Sequence, residues 1–221
     1  VDVQAAAGDE DSAIALDIDA AAAAEDINGE VTSVTISDIP EGATLTLPGG
    51  FEFTATEGNT SVDLTPAQLE GLSITPPENS DEDFNLTITA TAQETDPDTG
   101  EVTTASSDPV SLPVTVDAVA DEADLNVADA TGAEDTAIPL TISSELTDVD
   151  GSETLSLTIS GVPEGATLSA GTYDEETGDW TLTPDQLEGL TVTPAADSDE
   201  DFQLTVTATT TDGTDTATVS E

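Results

Sequence analysis

Residues 64–91 read LTPAQLEGLSITPPENSDEDFNLTITAT, and residues 182–209 read LTPDQLEGLTVTPAADSDEDFQLTVTAT. This recurrence decides the fold, because everything around it repeats in the same order. VTISDIPEGATL (residues 34–45) returns as LTISGVPEGATL (157–168), and EDSAIALDI (10–18) returns as EDTAIPLTI (134–142). Partners draw closer together toward the C-terminus, so the second copy has shorter loops, chiefly between Leu168 and Leu182. Self-similarity of this kind marks two copies of one structural unit. The expected division is a first repeat over residues 1–117, a linker over 118–124 and a second repeat over 125–221.

Within each copy, Val, Ile, Leu and Thr alternate in short runs, the two-residue period of a half-buried strand. In the first copy these runs fall near 13–18, 31–37, 43–46, 51–56, 60–64, 72–75, 84–92 and 110–116. Turn signals separate them: Pro40-Glu41-Gly42, Pro48-Gly49-Gly50, Gly58-Asn59 and, in the second copy, Asp212-Gly213. Asp-Gly between two alternating runs is a two-residue hairpin signal. TPAQLEGL and TPDQLEGL are the places where a single helical turn fits. The expectation is an all-β chain of two tandem Ig-like antiparallel β-sandwich domains joined by a short acidic linker. Phe84 and Phe202 hold equivalent positions and are expected to anchor the cores.

Composition narrows the function. The chain has 221 residues, 49 Asp plus Glu, and no Lys, Arg or His, for a formal net charge of −49. Without cationic side chains it has nothing to neutralise phosphates, so nucleic acid is not an expected partner, and an anionic membrane would repel it. No run approaches a membrane span and no signal peptide is seen, which reads as an internal fragment of something larger. Cys is absent, so no disulfide can staple a modest core, whereas a metal can. Thiol, imidazole and amine catalysis are unavailable, and an enzyme is not expected.

So many carboxylates repel one another on compaction. Bound divalent cations would relieve this; general adaptation to salt is the other explanation that composition leaves open. Calcium takes six to eight oxygen ligands, so its carboxylates must converge from separate loops or lie in a tight run. Each repeat offers three such places. They are Glu10 and Asp11 (then Glu134 and Asp135); DING with Asp26 and Asn28 (then DVDG with Asp148 and Asp150); and SDEDF with Asp81 and Asp83 (then Asp199 and Asp201). The run VDAVADEADL adds Asp117, Asp121, Glu122 and Asp124 where the copies join. Acids concentrated at a joint favour metal over simple solubility.

EDTAIPLTI, LTDVDG, GVPEGATLS, LTPDQLEGL and SDEDFQLTVTATTTDG together resemble the tandem Ig-like repeats of large bacterial RTX adhesins exported by type I secretion. The resemblance spans nearly the whole chain and both copies. Its ligand logic is similar to that of cadherin junctions, which implies a set of Glu10, Asp81, Asp83, Asp117, Asp121, Asp148 and Asp150; the Asn-rich cadherin linker is absent, and Asn28 stands where the second copy has Asp150. What the resemblance implies is a monomeric, calcium-stiffened spacer on the bacterial cell surface. It would contact neighbouring repeats of the same chain and hold an adhesive tip outward. The alternative is a calcium-dependent ligand-binding or homophilic adhesive module.

Overall fold

Alternation builds the sheets. Along Phe84–Thr95, Leu86, Ile88 and Ala90 point inward and are buried, while the threonines between them face outward. The computed structural model describes every residue except 21–29, 97 and 150. It divides the chain into two compact units, Val1–Ala118 and Val119–Glu221. Residues 119–124, expected to be a linker, group with the second unit.

The first unit contains β1 (Asp2–Val3), β2 (Ala6–Asp9), β3 (Ile14–Ala15), β4 (Ile18–Asp19), β5 (Glu30–Ser37), β6 (Thr44–Thr46), β7 (Glu52–Thr54), β8 (Val62–Leu64), β9 (Ser73–Thr75), β10 (Phe84–Thr95), β11 (Val102–Ser106) and β12 (Val110–Asp117). One sheet runs β2-β12-β10-β5-β8, with β11 against the far half of β10; another runs β3-β9-β6-β7; and β1 pairs with β4. Val34, Ile36, Leu86, Ile88, Leu112 and Val114 from the first sheet meet Ile14, Leu45 and Ile74 from the second in one core. This is an Ig-like β-sandwich.

Among the described residues pairing is antiparallel except where β2 runs parallel to β12, with Ala6 opposite Val114 and Asp9 opposite Asp117. Sequence reading missed β2, whose parallel pairing is one local departure within the antiparallel sandwich that was expected. Residues 6–9 read Ala-Ala-Gly-Asp and carry no strand pattern of their own. Gly8 explains the path, since a Cβ there would lie 2.9 Å from Ile14 Cγ1. Only glycine lets the chain lie so close to the strand that follows.

The second unit contains β13 (Asp124–Ala128), β14 (Ile138–Pro139), β15 (Thr141–Glu145), β16 (Thr154–Ser160), β17 (Thr167–Leu168), β18 (Thr172–Tyr173), β19 (Trp180–Leu182), β20 (Thr191–Thr193), β21 (Thr205–Asp212) and β22 (Asp215–Ser220). Its sheets run β18-β19-β16-β21-β22, β14-β20-β17 and β13-β15. Leu157, Ile159, Leu182, Leu190, Val192 and Val206 centre its core.

The TPxQ motif makes a 3₁₀ turn in both units, Pro66–Gln68 and Pro184–Gln186. In each, the Gln side-chain oxygen accepts the N–H of the Thr three residues earlier, at 2.8 Å in the first and 2.9 Å in the second. This satisfies a backbone donor that the short turn leaves open. Phe84 and Phe202 pack against the margins of the two cores rather than filling their centres.

Leu86 and Leu204 occupy equivalent places, yet Leu86 is fully buried and Leu204 only half-buried. Leu86→Ala is therefore expected to cost the first unit about 2–5 kcal/mol. Leu204→Ala should cost the second unit distinctly less. Urea unfolding followed through resolved amide NMR signals of each unit measures both.

Candidate metal centre

Two inward-facing rows of the second unit end in acids. On β21 the inward positions are Val206, Ala208, Thr210 and Asp212, all buried. On β16, Leu157 and Ile159 face inward, and the same period carried back past Leu155 reaches Glu153, also buried. Thr154 pairs with Thr211, so the register sets Glu153 opposite Asp212. Like charges directly opposite one another on a sheet face are destabilising. β21 and β22 join through Gly213 and Thr214, with Asp212 still paired to Asp215. Asp212 is thus the last rung of the hairpin rather than part of its loop.

Residues 120–122 cross this end of the unit. Asp121 donates its N–H to Glu153 Oε1 at 2.6 Å, and its carbonyl accepts the Thr210 hydroxyl. The Ala120 N–H donates to Asp215 Oδ2 at 3.2 Å, and the Thr147 hydroxyl donates to the Glu122 carbonyl at 3.0 Å. Asp148 follows Thr147 and is buried; one of its carboxylate oxygens lies within 4.8 Å of one of Asp212.

Four acids from three separated segments therefore gather here: Asp121, Asp148, Glu153 and Asp212. Glu153 is 7 % exposed, and its Oε2 is buried with no hydrogen-bond partner among the described residues. Burial pushes its carboxyl above the ordinary value, and the charges of Asp148, Asp121 and Asp212 push the same way, against the Asp121 N–H. A buried anion needs a hydrogen bond, a proton or a cation. No side chain of this protein can supply the cation. Carboxylates and a backbone carbonyl are hard oxygen donors of the kind calcium takes, so the residues present fit that ion.

The other expected ligands fall into different settings. In the first unit, Asp83 Oδ1 accepts the Val116 N–H at 2.9 Å, and the Glu10 N–H donates to the Asp117 carbonyl at 3.0 Å. Glu10, Asp83 and Asp117 thus lie together at the end of β12, while Asp81 precedes them in the loop before β10. Asp11 holds two turns together, for at φ 51° it accepts the N–H of Asn79, itself at φ 56°, at 2.9 Å. Asp135 (φ 60°) and Asp197 (φ 56°) repeat this clip at 3.0 Å. Glu134, Asp199 and Asp201 are exposed and border a groove in the second unit. Asp26, Asn28 and Asp150 lie outside the described residues.

Glu153 and Asp212 were not among the residues picked from sequence. The signal was present, since counting back by two from Leu157 reaches Glu153 and counting on by two from Val206 reaches Asp212.

No protein-family profile matches the chain, and no curated protein matches it. Among solved structures, murine CEACAM1b is similar at 12% identity over 97% of this chain and 92% of that one, with a TM-score of 0.28. So loose a superposition carries no argument, and the sandwich assignment stands on the strand pairing above.

The raised Glu153 carboxyl fixes a sign. The unfolded chain ionises this group near its ordinary value of 4.5 and the folded unit only at higher pH, so folding loses stability as pH rises through that interval. In chelator, the melting temperature of the second unit should therefore climb as pH falls from 7 toward 4.5. Glu153→Gln should flatten part of that climb. Trp180, the chain's one tryptophan, reports the unit by fluorescence.

Proposed function

We propose that this chain is a calcium-stabilised structural repeat, a spacer segment of a bacterial surface adhesin that holds an adhesive tip away from the cell. The observation that carries the metal half is the buried, partnerless oxygen of Glu153 among Asp121, Asp148 and Asp212. Two further features support the spacer half. The same sandwich occurs twice in tandem, and the sequence resembles extender repeats over nearly its whole length. Catalysis gains no support, since the chain has no Cys, His, Lys or Arg to supply a thiol, imidazole or amine.

An ion that binds the folded unit alone stabilises it by RT ln(1 + [Ca]/Kd), about 2.7 kcal/mol at a hundredfold excess over Kd. For a domain of this size that corresponds to a rise of about 10–20 °C in melting temperature. Export fits such a material: a chain without calcium stays loosely folded and sets once it meets the ion outside.

The test is thermal unfolding of the full chain in calcium and in chelator, read at Trp180. The expected result is a large calcium-dependent rise, mostly lost in a Glu153→Gln, Asp212→Asn double variant. Identical melting in calcium and chelator sinks the metal reading. Sedimentation in calcium checks the spacer reading separately: a concentration-independent monomer supports it, and reversible dimers favour an adhesive module.

A further inference from the structure

The second unit carries an aromatic pair that the shared fold does not require. Trp180 on β19 pairs with Ile159 of β16, as Val62 on β8 pairs with Ile36 of β5. Both side chains are partly buried and pack against their cores, so valine fills this place well enough. The indole carries a cost there that valine avoids, since Trp180 Nε1 is buried with no hydrogen-bond partner among the described residues. Its aromatic neighbour arrives on a strand that changes sheets. In the first unit β7 pairs with β6, setting Phe53 opposite Leu45. The corresponding β18 pairs instead with β19 and sets Tyr173 opposite Trp180. Gly171 permits that path, for at φ 99° a Cβ there would lie 2.9 Å from Leu182 Cγ.

The two rings lie 5.4 Å apart between centroids, tilted by 46°, and Tyr173 is half exposed. They are the chain's one tryptophan and one tyrosine. The run Asp174-Glu175-Glu176-Thr177-Gly178-Asp179 closes the hairpin at the end of this pair. Its backbone is fixed from within. The Asp174 N–H donates to the Asp179 carbonyl at 2.9 Å, the Gly178 N–H to the Asp174 carbonyl at 2.8 Å and the Glu176 N–H to Asp174 Oδ1 at 2.8 Å. Asp174, Glu175 and Glu176 are exposed. The corresponding connection in the first unit, residues 55–61, holds a single acid, Glu57, and no aromatic ring. Rings and acids were therefore added together, at one place, to a fold that stands without them.

We propose that Tyr173, Trp180 and the 174–179 loop form a docking surface for an arginine-bearing basic segment of a partner protein. Aromatic faces attract cations through the negative charge of their π-systems, and the carboxylates beside them attract the same charge. Arginine answers both, because its flat, weakly hydrated guanidinium stacks on rings while its fork of N–H groups meets carboxylates. Nothing in this chain can fill the surface from within, since it has no lysine, arginine or histidine. A second copy is a poor occupant for the same reason, bringing only like charge. Tyr and Trp are the side chains on which binding energy concentrates at protein interfaces, with Arg their frequent partner. The acids around them speed the approach of a basic segment and turn acidic ones away. This surface is separate from the acids gathered at Glu153, and its occupancy does not depend on an ion there.

The experiment titrates the full 221-residue chain, in calcium-containing buffer at about 0.15 M salt, with the capped peptide Gly-Arg-Ser-Arg-Gly. Trp180 fluorescence reads binding at the site itself, and its melting curve shows that each variant is folded. The expected result is a saturable change, with the lysine version of the peptide at least about threefold weaker. Tyr173→Leu, which keeps apolar cover without a ring, should weaken binding by at least about fivefold, and Tyr173→Phe should leave it unchanged. Glu175→Gln with Glu176→Gln should weaken it by at least about threefold. The loop of residues 96–101 closes with the same backbone bonds, Asp96 N–H to the Glu101 carbonyl and Gly100 N–H to the Asp96 carbonyl, but carries no ring. Asp98→Asn with Glu101→Gln should therefore change nothing. Equal affinity in Tyr173→Leu, or equal losses from the two acid pairs, reduces the effect to diffuse charge and overturns the proposal. Loss in Tyr173→Phe, or a signal that never saturates, overturns it as well. A neutral oligosaccharide that saturates the Trp180 signal when the arginine peptide does not assigns the rings to a sugar, with the same consequence.

Discussion

A carboxylate in a chain without lysine, arginine or histidine can be tolerated at close range by backbone donors, by a proton or by a cation from outside. Several carboxylates of this structure use the first. Asp83 takes the Val116 N–H, Asp11 that of Asn79 and Asp135 that of Asp197. Asp96 takes the N–H groups of Thr99 and Asp98, which hold its carboxyl below the ordinary value. Each arrangement fixes a turn while quieting a charge, so the acids help specify the loops. At one end of the second unit Glu153 takes the Asp121 N–H on one oxygen, and its other oxygen is buried with no hydrogen-bond partner among the described residues.

Register explains why the sequence accepts that arrangement. The alternation that turns Leu157, Ile159, Val206 and Ala208 into the core also turns Glu153 and Asp212 inward at the same strand ends. Slipping by one residue would expose the acids and the aliphatic side chains together. Burying an aliphatic side chain stabilises by about 1.5–3 kcal/mol. Two like charges at the 4.8 Å limit that separates Asp148 from Asp212 repel by about 3–4 kcal/mol at an effective dielectric near 20. The core therefore sets the register and the acids must be accommodated afterwards. That makes the charged end a consequence of the fold, with its stability left open to pH and to ions.

The same physics governs how much could be read from sequence. Duplication, the main strands, the TPxQ turns and the sandwich were legible because each rests on a local pattern repeated twice. The strands β1 and β2 were not, being short, with β1 carried by its pairing with β4 and β2 by its pairing with β12 at the far end of the unit; β11 was missed because its residues are all exposed and lack apolar alternation. Of the acids gathered in the second unit, Asp121 and Asp148 stood out in acidic runs. Glu153 and Asp212 stood in strand patterns and looked like solvent-facing charge and turn chemistry. Composition points to where acids are dense, while only register shows where they are buried.

The segments that meet at Glu153 are far apart in sequence, running from Asp121 through Asp148 to Asp212. An ion held by them would close loops that span nearly the whole second unit. In the unfolded chain, bringing such distant residues together costs entropy that rises only slowly with loop length. A cross-link made only in the folded state thus acts on the entire unit rather than on one turn. Disulfides do this in many extracellular domains, and this chain has no cysteine with which to make one. A metal cross-link also differs in kind: it is reversible and forms only where the ion is abundant. With such an ion bound, the missing cysteines and the gathered acids would be two sides of one design, in which the solvent supplies the staple.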